Sequence, residues 1–541
     1  MNHWLTILTL VPFIGGIVVA GLGAGRKNLA RGLAFAISLV ALAGAACLWL
    51  HFDGKSGDLQ FVEKFDWVPS LGIQYFLGVD GLGALMVLLT GIVTPLAIWV
   101  AGSLFDTERR SPDRLVKSGS QHAEQELGAP APQVFYALVL WLQAGLFGTF
   151  TALNFFHWFL FWELGLIPAF FLVKVWGGPK RGPAATQFFI YTMVGSVTLL
   201  LSFLAIWLAT KTPTTPGCFD FMKLRDMAHD GSLQRALSAA FGWKNIGLIV
   251  FFGAFLGFAV KVPVVPFHTW LPAAYSEAPS SVTMMLTGVM SKMGVYGFLR
   301  ILLPIFPDQI RQMLTPLLWF ALATIVLSAC AAFAQRDIKR MLAYSSINHL
   351  GYCLLALFAA AGAATGVNAP DLQKTAALDG CLLQIFNHGL TASALFLFVA
   401  LIEKRSAGLR GLEEFGGLRK VVPVFTGLMG IALFSSLGLP GLNGFAGEFL
   451  VFKGVFPLAP WAAAIATIGI LVTAIFLLTL IQRVFCGPLN ERWTNFPDLT
   501  TGERLLVVPS IALMFILGLW PQFIVGVVDA SMVKLVQHLN F

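Results

Sequence analysis

Charge is scarce in this chain: only 11% of its 541 residues are Asp, Glu, Lys or Arg, against roughly 25% in a soluble domain. Water is therefore excluded as its main solvent. Cysteine is also scarce, and Cys47, Cys218, Cys330, Cys353, Cys381 and Cys486 show no C-x-x-C spacing. They read as small core residues and not as iron–sulfur or zinc ligands, so no metal is expected. No Walker loop is present, and no G-x-G-x-x-G stands between a strand and a helix, so neither ATP nor NADH has a recognisable site and no cofactor is expected in this chain. Basic residues interleaved with exposed aromatics are absent too. The net charge of +8 then reflects membrane topology and not nucleic acid. The opening Met1-Asn2-His3-Trp4 has no basic n-region, and reads as the start of a first span and not as a cleaved signal.

What the chain has in plenty is apolar length. Stretches of about 20 residues, each able to cross a hydrocarbon core of roughly 30 Å, recur near 4–23, 30–50, 76–103, 134–153, 155–177, 185–209, 245–269, 279–301, 310–332, 339–361, 377–403, 421–452, 460–485 and 505–528. Their Leu, Ala, Phe and Gly content without ten-residue alternation predicts an all-α polytopic membrane protein of about 14 transmembrane helices, not a barrel. The loops after odd-numbered spans, with their edges, hold 20 of the 35 Lys and Arg residues, which places those loops in the cytoplasm and both termini outside. Residues 104–133 read as a solvated cytoplasmic insertion. The loop 210–244, with CFDFMKLRDM, reads either as an amphipathic helix on the outer surface or as a plain linker.

A few ionisable residues interrupt the apolar spans, and each costs at least about 2.5–3.5 kcal/mol at mid-membrane. Glu163 is central in the fifth span, Lys261 in the seventh and Lys292 in the eighth, where snorkelling is implausible. His349 and His388 sit in the tenth and eleventh spans, and Glu448 follows a Gly-rich break in the twelfth. His268 stands near Pro266, where capping a broken helix would explain it equally well; Lys174, beside Trp176, is expected only to snorkel. Carboxylate, amine and imidazole groups without a nucleophile, metal cage or cofactor loop have one chemistry in common, proton transfer. Burial disfavours an ammonium by roughly 4 kcal/mol, and a carboxylate about 4 Å away restores about 4 kcal/mol at an effective dielectric near 20. Moving Glu163 toward or away from a buried lysine would therefore switch whether that lysine holds its proton.

The charges also recur. Gly257-Phe258-Ala259 aligned on Gly444-Phe445-Ala446, an offset of 187, sets Lys261 on Glu448, and carries Glu163 to within one residue of His349. Because an odd number of spans separates the matched helices, the halves are inverted, and both matched spans are broken by Pro263 and Pro266 or by Pro440 and its glycines. The division expected is residues 1–133 for three N-terminal helices and the insertion, 134–303 and 304–486 for two inverted five-helix repeats, and 487–541 for a C-terminal helix.

FLGVDGLGALMVLLTGIVTPLAI (76–98), FWELGLIPAFFLVKVWGG (161–178), GFAVKVPVVPFHTWLP (257–272), RDIKRMLAYSSINHLGY (336–352), FNHGLTASALFL (386–397) and GLPGLNGFAGEFLVFKG (438–454) together resemble the antiporter-like membrane subunits of respiratory complex I, most closely the M type. The resemblance runs over nearly the whole chain. It implies inverted five-helix repeats, broken seventh and twelfth helices, and a midplane proton path. On that path the fifth-span glutamate falls on Glu163, the seventh- and eighth-span lysines on Lys261 and Lys292, the tenth-span histidine on His349 and the twelfth-span acid on Glu448. It also implies a proton-translocating subunit of an NADH:quinone oxidoreductase without its own redox centre, driven by quinone reduction elsewhere. Its partners would be L-type and N-type neighbours in the membrane arm of a respiratory chain, in a bacterial inner membrane. A subunit of a multi-subunit Na+/H+ antiporter or of an energy-converting hydrogenase would show the same pattern, whereas a structural scaffold would not need the buried Glu and Lys set. Where the family commonly has Leu-Pro-Asp-Ala-His, this chain reads Leu271-Pro272-Ala273-Ala274-Tyr275, so any role of that Asp and His is absent or moved.

Overall fold

A computed structural model describes residues 3–23, 25–106, 131–362 and 368–539. Most of the insertion expected at 104–133, and the last two residues, lie outside the described residues. Within them the chain is a helical bundle, a multi-pass membrane protein. Eleven helices are long and apolar enough to cross a membrane, or 12 if one bent pair counts as a single span. Expected span by expected span, these are α2 (Lys27–His51), α3 (Gly81–Asp106), α4 (Pro132–Thr151), α5 (Phe155–Trp176) and α6 (Arg181–Thr210). They continue with α11 (Ser280–Ile305), α13 (Leu314–Phe333), α14 (Ile338–Ala361), α15 (Pro370–Ser406), α18 (Pro460–Phe485) and α19 (Thr501–Leu519). The other expected spans are occupied by the shorter α1 (Trp4–Ala20) and α16 (Pro423–Leu437), and by α9 (Ile246–Lys261), which forms the bent pair. Fourteen is thus not reached by long helices alone.

Three elements depart from the expectation. A hairpin of β1 (Gln60–Val68) and β2 (Ile73–Val79) precedes α3. The third span therefore begins at Gly81 and not near 76, because Asp80 accepts from the Gly83 backbone N–H at 3.1 Å and starts the helix there. The loop 210–244 folds as α7 (Phe221–His229) and α8 (Ser232–Phe241). Both are amphipathic as expected, burying Phe221, Leu224, Leu233 and Leu237, and α8 meets α9 at 106°. Finally, the C-terminal segment is two helices. After α19 the chain turns at Trp520-Pro521 into α20 (Gln522–Leu539), which reaches Asp58 through Lys534, Gly81 through Ser531, and Arg311 through the Leu539 carbonyl.

Those contacts sort by loop parity. Lys64 pairs with Asp220 at 2.7 Å, and α20 gathers the loops after the second and eighth spans. On the opposite face Lys180 and Glu277, Arg410 and Asp337, and Arg405 and Glu503 join loops that follow odd-numbered spans. An up-and-down bundle with the expected alternation gives this sorting. Inside it Arg300 and Asp80 form a largely buried ion pair near α20.

Two outcomes are expected from this arrangement. Cysteines replacing the exposed Lys55 and Lys404 should take up an impermeant thiol reagent from opposite sides of sealed vesicles; labelling from one side would break the alternation. Asp80→Asn, which strands a buried guanidinium, should cost about 3–5 kcal/mol, visible as a lowered unfolding temperature of the purified protein in detergent.

Candidate functional site: a chain of ionisable side chains through the bundle

Helix length fixes depth. Lys292 stands 12 residues from Ser280 and 13 from Ile305 in α11; His349 is 11 from Ile338 and 12 from Ala361 in α14; His388 is 18 from either end of α15. Three ionisable residues therefore lie at the midpoints of three neighbouring long helices. Five-residue π-helical segments at Leu286–Met290 and Phe298–Leu302 bracket the Lys292 turn, the kind of local unwinding that re-aims side chains at functional positions.

The side chains touch. The Lys292 ammonium lies 2.8 Å from His388 Nδ1 and also donates to the Thr287 carbonyl. The His388 and His349 rings are 5.1 Å apart between centroids, at an interplanar angle of 39°. His349 Nδ1 is 3.1 Å from Glu448 Oε1, and its Nε2 is 3.1 Å from Ser436 Oγ. Gln384, one helical turn before His388, sets its amide nitrogen 3.4 Å from both His349 Nδ1 and Glu448 Oε1. Lys292, His388, His349 and Glu448 thus form one continuous run, all at least nine-tenths buried.

The breaks hold the two ends of this site. α9 stops at Lys261; residues 262–269 are non-helical, and α10 (Trp270–Glu277) follows. Trp270 Nε1 donates to the Val260 carbonyl at 3.0 Å, and the Val265 N–H to Thr324 Oγ1 at 3.0 Å, so freed backbone groups are satisfied by protein, as a membrane interior requires. The second break, Gly438–Leu442, separates α16 from α17 (Asn443–Leu458). Asn387 Nδ2 donates to the Asn443 carbonyl at 2.6 Å, and Ser435 Oγ bonds the Asn443 side chain. Gly438 has φ of 85°, and a Cβ there would lie 2.9 Å from Glu448 Oε2.

Lys261 and Glu163 are built differently. The Lys261 ammonium, 2% exposed as a residue, has no hydrogen-bond partner and sits 4.6 Å from the centre of the Trp162 ring, a cation–π contact. Glu163, on the same helix as Trp162, has an unpartnered Oε1 and acts on Lys261 electrostatically without an ion pair of 4 Å or less. Lys261 adjoins the Lys292 helix: a Cβ on Gly294 would lie 2.9 Å from the Val262 backbone nitrogen.

Of the residues singled out in the sequence, Lys292, His349, His388 and Glu448 come together, and Glu163 and Lys261 form a second, looser group. His268 lies half-buried in the first break, near Tyr344 and outside the run; Lys174 is exposed. The offset of 187 does not superpose the breaks, since Lys261 ends the helix before its break and Glu448 is in the helix after its own. Helix starts instead recur at 182 for α4 and α13, 183 for α5 and α14, and 180 for α11 and α18. Reasoning from sequence missed Gln384, Ser436 and Tyr275. The first two are neutral, and only i, i+4 spacing of Gln384 with His388 signalled either. Tyr275 is buried, and its hydroxyl has no hydrogen-bond partner among the described residues.

The comparisons with known proteins give the family and the fold. Residues 152–473 match the family "NADH:quinone oxidoreductase/Mrp antiporter, TM", and the chain belongs to that family. It is 32% identical to NADH-quinone oxidoreductase subunit M of Rhodobacter capsulatus over 100% of this chain and 98% of that one. To F(420)H(2) dehydrogenase subunit M of Methanosarcina mazei it is 35% identical, over 96% and 94%. Its fold is similar to a chain of respiratory complex I from Thermus thermophilus, with TM-score 0.80, 25% identity and coverage of 99% and 100%. It is also similar to a chain of the Mrp complex of Dietzia, with TM-score 0.79, 20% identity and coverage of 100% of both chains. The chain is accordingly a membrane subunit of the kind found in such oxidoreductase complexes, M type among its curated relatives.

Gly438→Ala should cost about 1–2 kcal/mol for the left-handed backbone alone and push Glu448 off His349. The proton transport proposed below should fall well beyond what the loss of stability explains, as read by dye quenching in proteoliposomes at matched amounts of complex.

Proposed function

We propose that this chain is the proton-translocating M-type subunit of a complex I-type NADH:quinone oxidoreductase. The observation that carries the reading is the unbroken run Lys292–His388–His349–Glu448 at the middle of the bundle. Amine, imidazole, imidazole and carboxylate in succession can each accept and release a proton, and each has its neighbour within direct contact or one bridging water. The chain's own residues move the proton. Redox chemistry, and any cofactor it needs, belongs to other subunits of the assembly, and quinone reduction there drives the charge movements here.

Glu163 and Lys261 are the input switch. With no direct ion pair between them, the buried ammonium has only the Trp162 ring and the distant carboxylate to stabilise it. Bringing the carboxylate to about 4 Å would add about 4 kcal/mol at an effective dielectric near 20, enough to change the lysine's occupancy by roughly three orders of magnitude. A neighbouring subunit that moves Glu163 would thus load or unload Lys261, and the proton would pass by Lys292 into the run. L-type and N-type subunits are the neighbours that the M-type reading implies. The face of the odd-numbered loops is cytoplasmic in this reading, and the face of the even-numbered loops and of α20 periplasmic, in a bacterial inner membrane. The match to an Mrp chain keeps a Na+/H+ antiporter subunit as the second reading. Flavin and iron–sulfur proteins co-purifying in mild detergent decide for the first, small antiporter chains for the second.

Lys261→Met keeps the stem but cannot carry a proton, and should abolish most pumping per electron pair while leaving the complex assembled. Glu163→Gln should act alike, and Glu448→Asp should retain part of what Glu448→Gln loses. Unchanged pumping in fully assembled Lys261→Met and Glu448→Gln complexes would remove both groups from the path.

A further inference from the structure

Beyond the run lies a carboxyl group with no assigned task. Asp379 in α15 is 4% exposed, and its Oδ1 has no hydrogen-bond partner. It borders a cavity of about 410 Å³ between α15, α17 and the turn from α19 into α20. Asp529 on α20 lines the same cavity and is exposed. Lys453, also exposed, is the other ionisable group on the wall, where Gln522 and Thr375 are the polar neighbours. Two carboxyl groups facing one small cavity repel when both are ionised, so the pair favours holding a proton.

Position gives it a direction. Asp379 is nine residues before His388 in α15, about 13 Å along the helix, toward the face where the even-numbered loops and α20 lie. That is close to half the thickness of a hydrocarbon core of roughly 30 Å. Leu383, Ala446 and Phe449, the chain neighbours of Gln384, Gly447 and Glu448, line the same cavity. Gln384 touches Glu448 on the inner side. Glu448, Gln384, Asp379 and Asp529 therefore descend in order from the midplane to solvent.

We propose that the Asp379–Asp529 carboxyl pair is the outer proton port of this subunit, taking the proton from Glu448 and passing it to the outer face. This rests on the proton-path reading of the run. In the step, protonated Glu448 gives its proton through the Gln384 region to the Asp379 carboxylate, Glu448 is left anionic, and Asp379 shares the proton with Asp529 until water at the exposed oxygen removes it. No electrons move.

The test uses the whole complex in proteoliposomes, with Lys261→Met as control. Asp379→Asn should cut pumping per electron pair several-fold, and Asp379→Glu should restore much of it. The purified complex should show a carboxylic C=O infrared band, sensitive to deuterium, that Asp379→Asn removes and Asp529→Asn shifts. The exposed Asp529→Asn serves as the readout should Asp379→Asn fail to assemble. Normal pumping by Asp379→Asn while Lys261→Met pumps nothing overturns the port and leaves the path intact. A band unmoved by Asp529→Asn also overturns the shared proton. If Lys261→Met and Glu448→Gln both pump normally, the path itself fails.

Discussion

A hydrocarbon interior offers no partner to a stray charge or an open backbone group. Everything distinctive in this protein follows from how it supplies those partners from within. The midplane charges are tolerated because they are given to one another: ammonium to imidazole, imidazole to carboxylate, and the remaining ring nitrogen to the hydroxyl of Ser436. The helix breaks are tolerated for the same reason. Trp270 and Thr324 take up backbone groups opened around Pro263 and Pro266, and Asn387 ties the start of the helix after Pro440 to α15.

In the proposed mechanism the two groups of charges divide the work because they are satisfied to different degrees. Lys292, His388, His349 and Glu448 are joined, which favours passage. Lys261 is buried and Glu163 half-buried, both nearly alone, which is costly and therefore sensitive to small movement. A carboxylate that travels a few ångströms changes an interaction of a few kcal/mol in such surroundings, whereas at a surface the same displacement would be screened. On the proposed path the site is thus stiff where protons would pass and soft where the input would act.

Much of this was legible in the sequence, because hydrocarbon makes each buried charge conspicuous. Glu163, Lys261, Lys292, His349, His388 and Glu448 stood out against apolar spans, and Pro440 with its glycines marked the second break. What escaped notice was what polarity alone does not single out. Gln384 and Ser436 are neutral and common. Only the end of β2, Phe76–Val79, falls inside the third expected span, because it is as apolar as the helix after it; β1 stands in the loop before it. Asp379 lies just inside the N-terminal edge of a long span, where an acid looks like a boundary marker. The expected repeat rested on three matching residues, which fall on opposite sides of the two breaks.

α20 lies across loops made very early in synthesis. The Gly81 N–H finds Ser531 Oγ 450 residues along the chain, and Gly54 and Gly57 are packed against Val527 and Ala530 so closely that neither has room for a Cβ. The segments around Asp58 and Asp80 thus leave the ribosome without their final neighbours and must wait for α20. Insertion can proceed span by span, but closure of that face is postponed until several hundred further residues have been made. Until then the early loops present unfilled glycine surfaces, which mark a subunit whose face is still open.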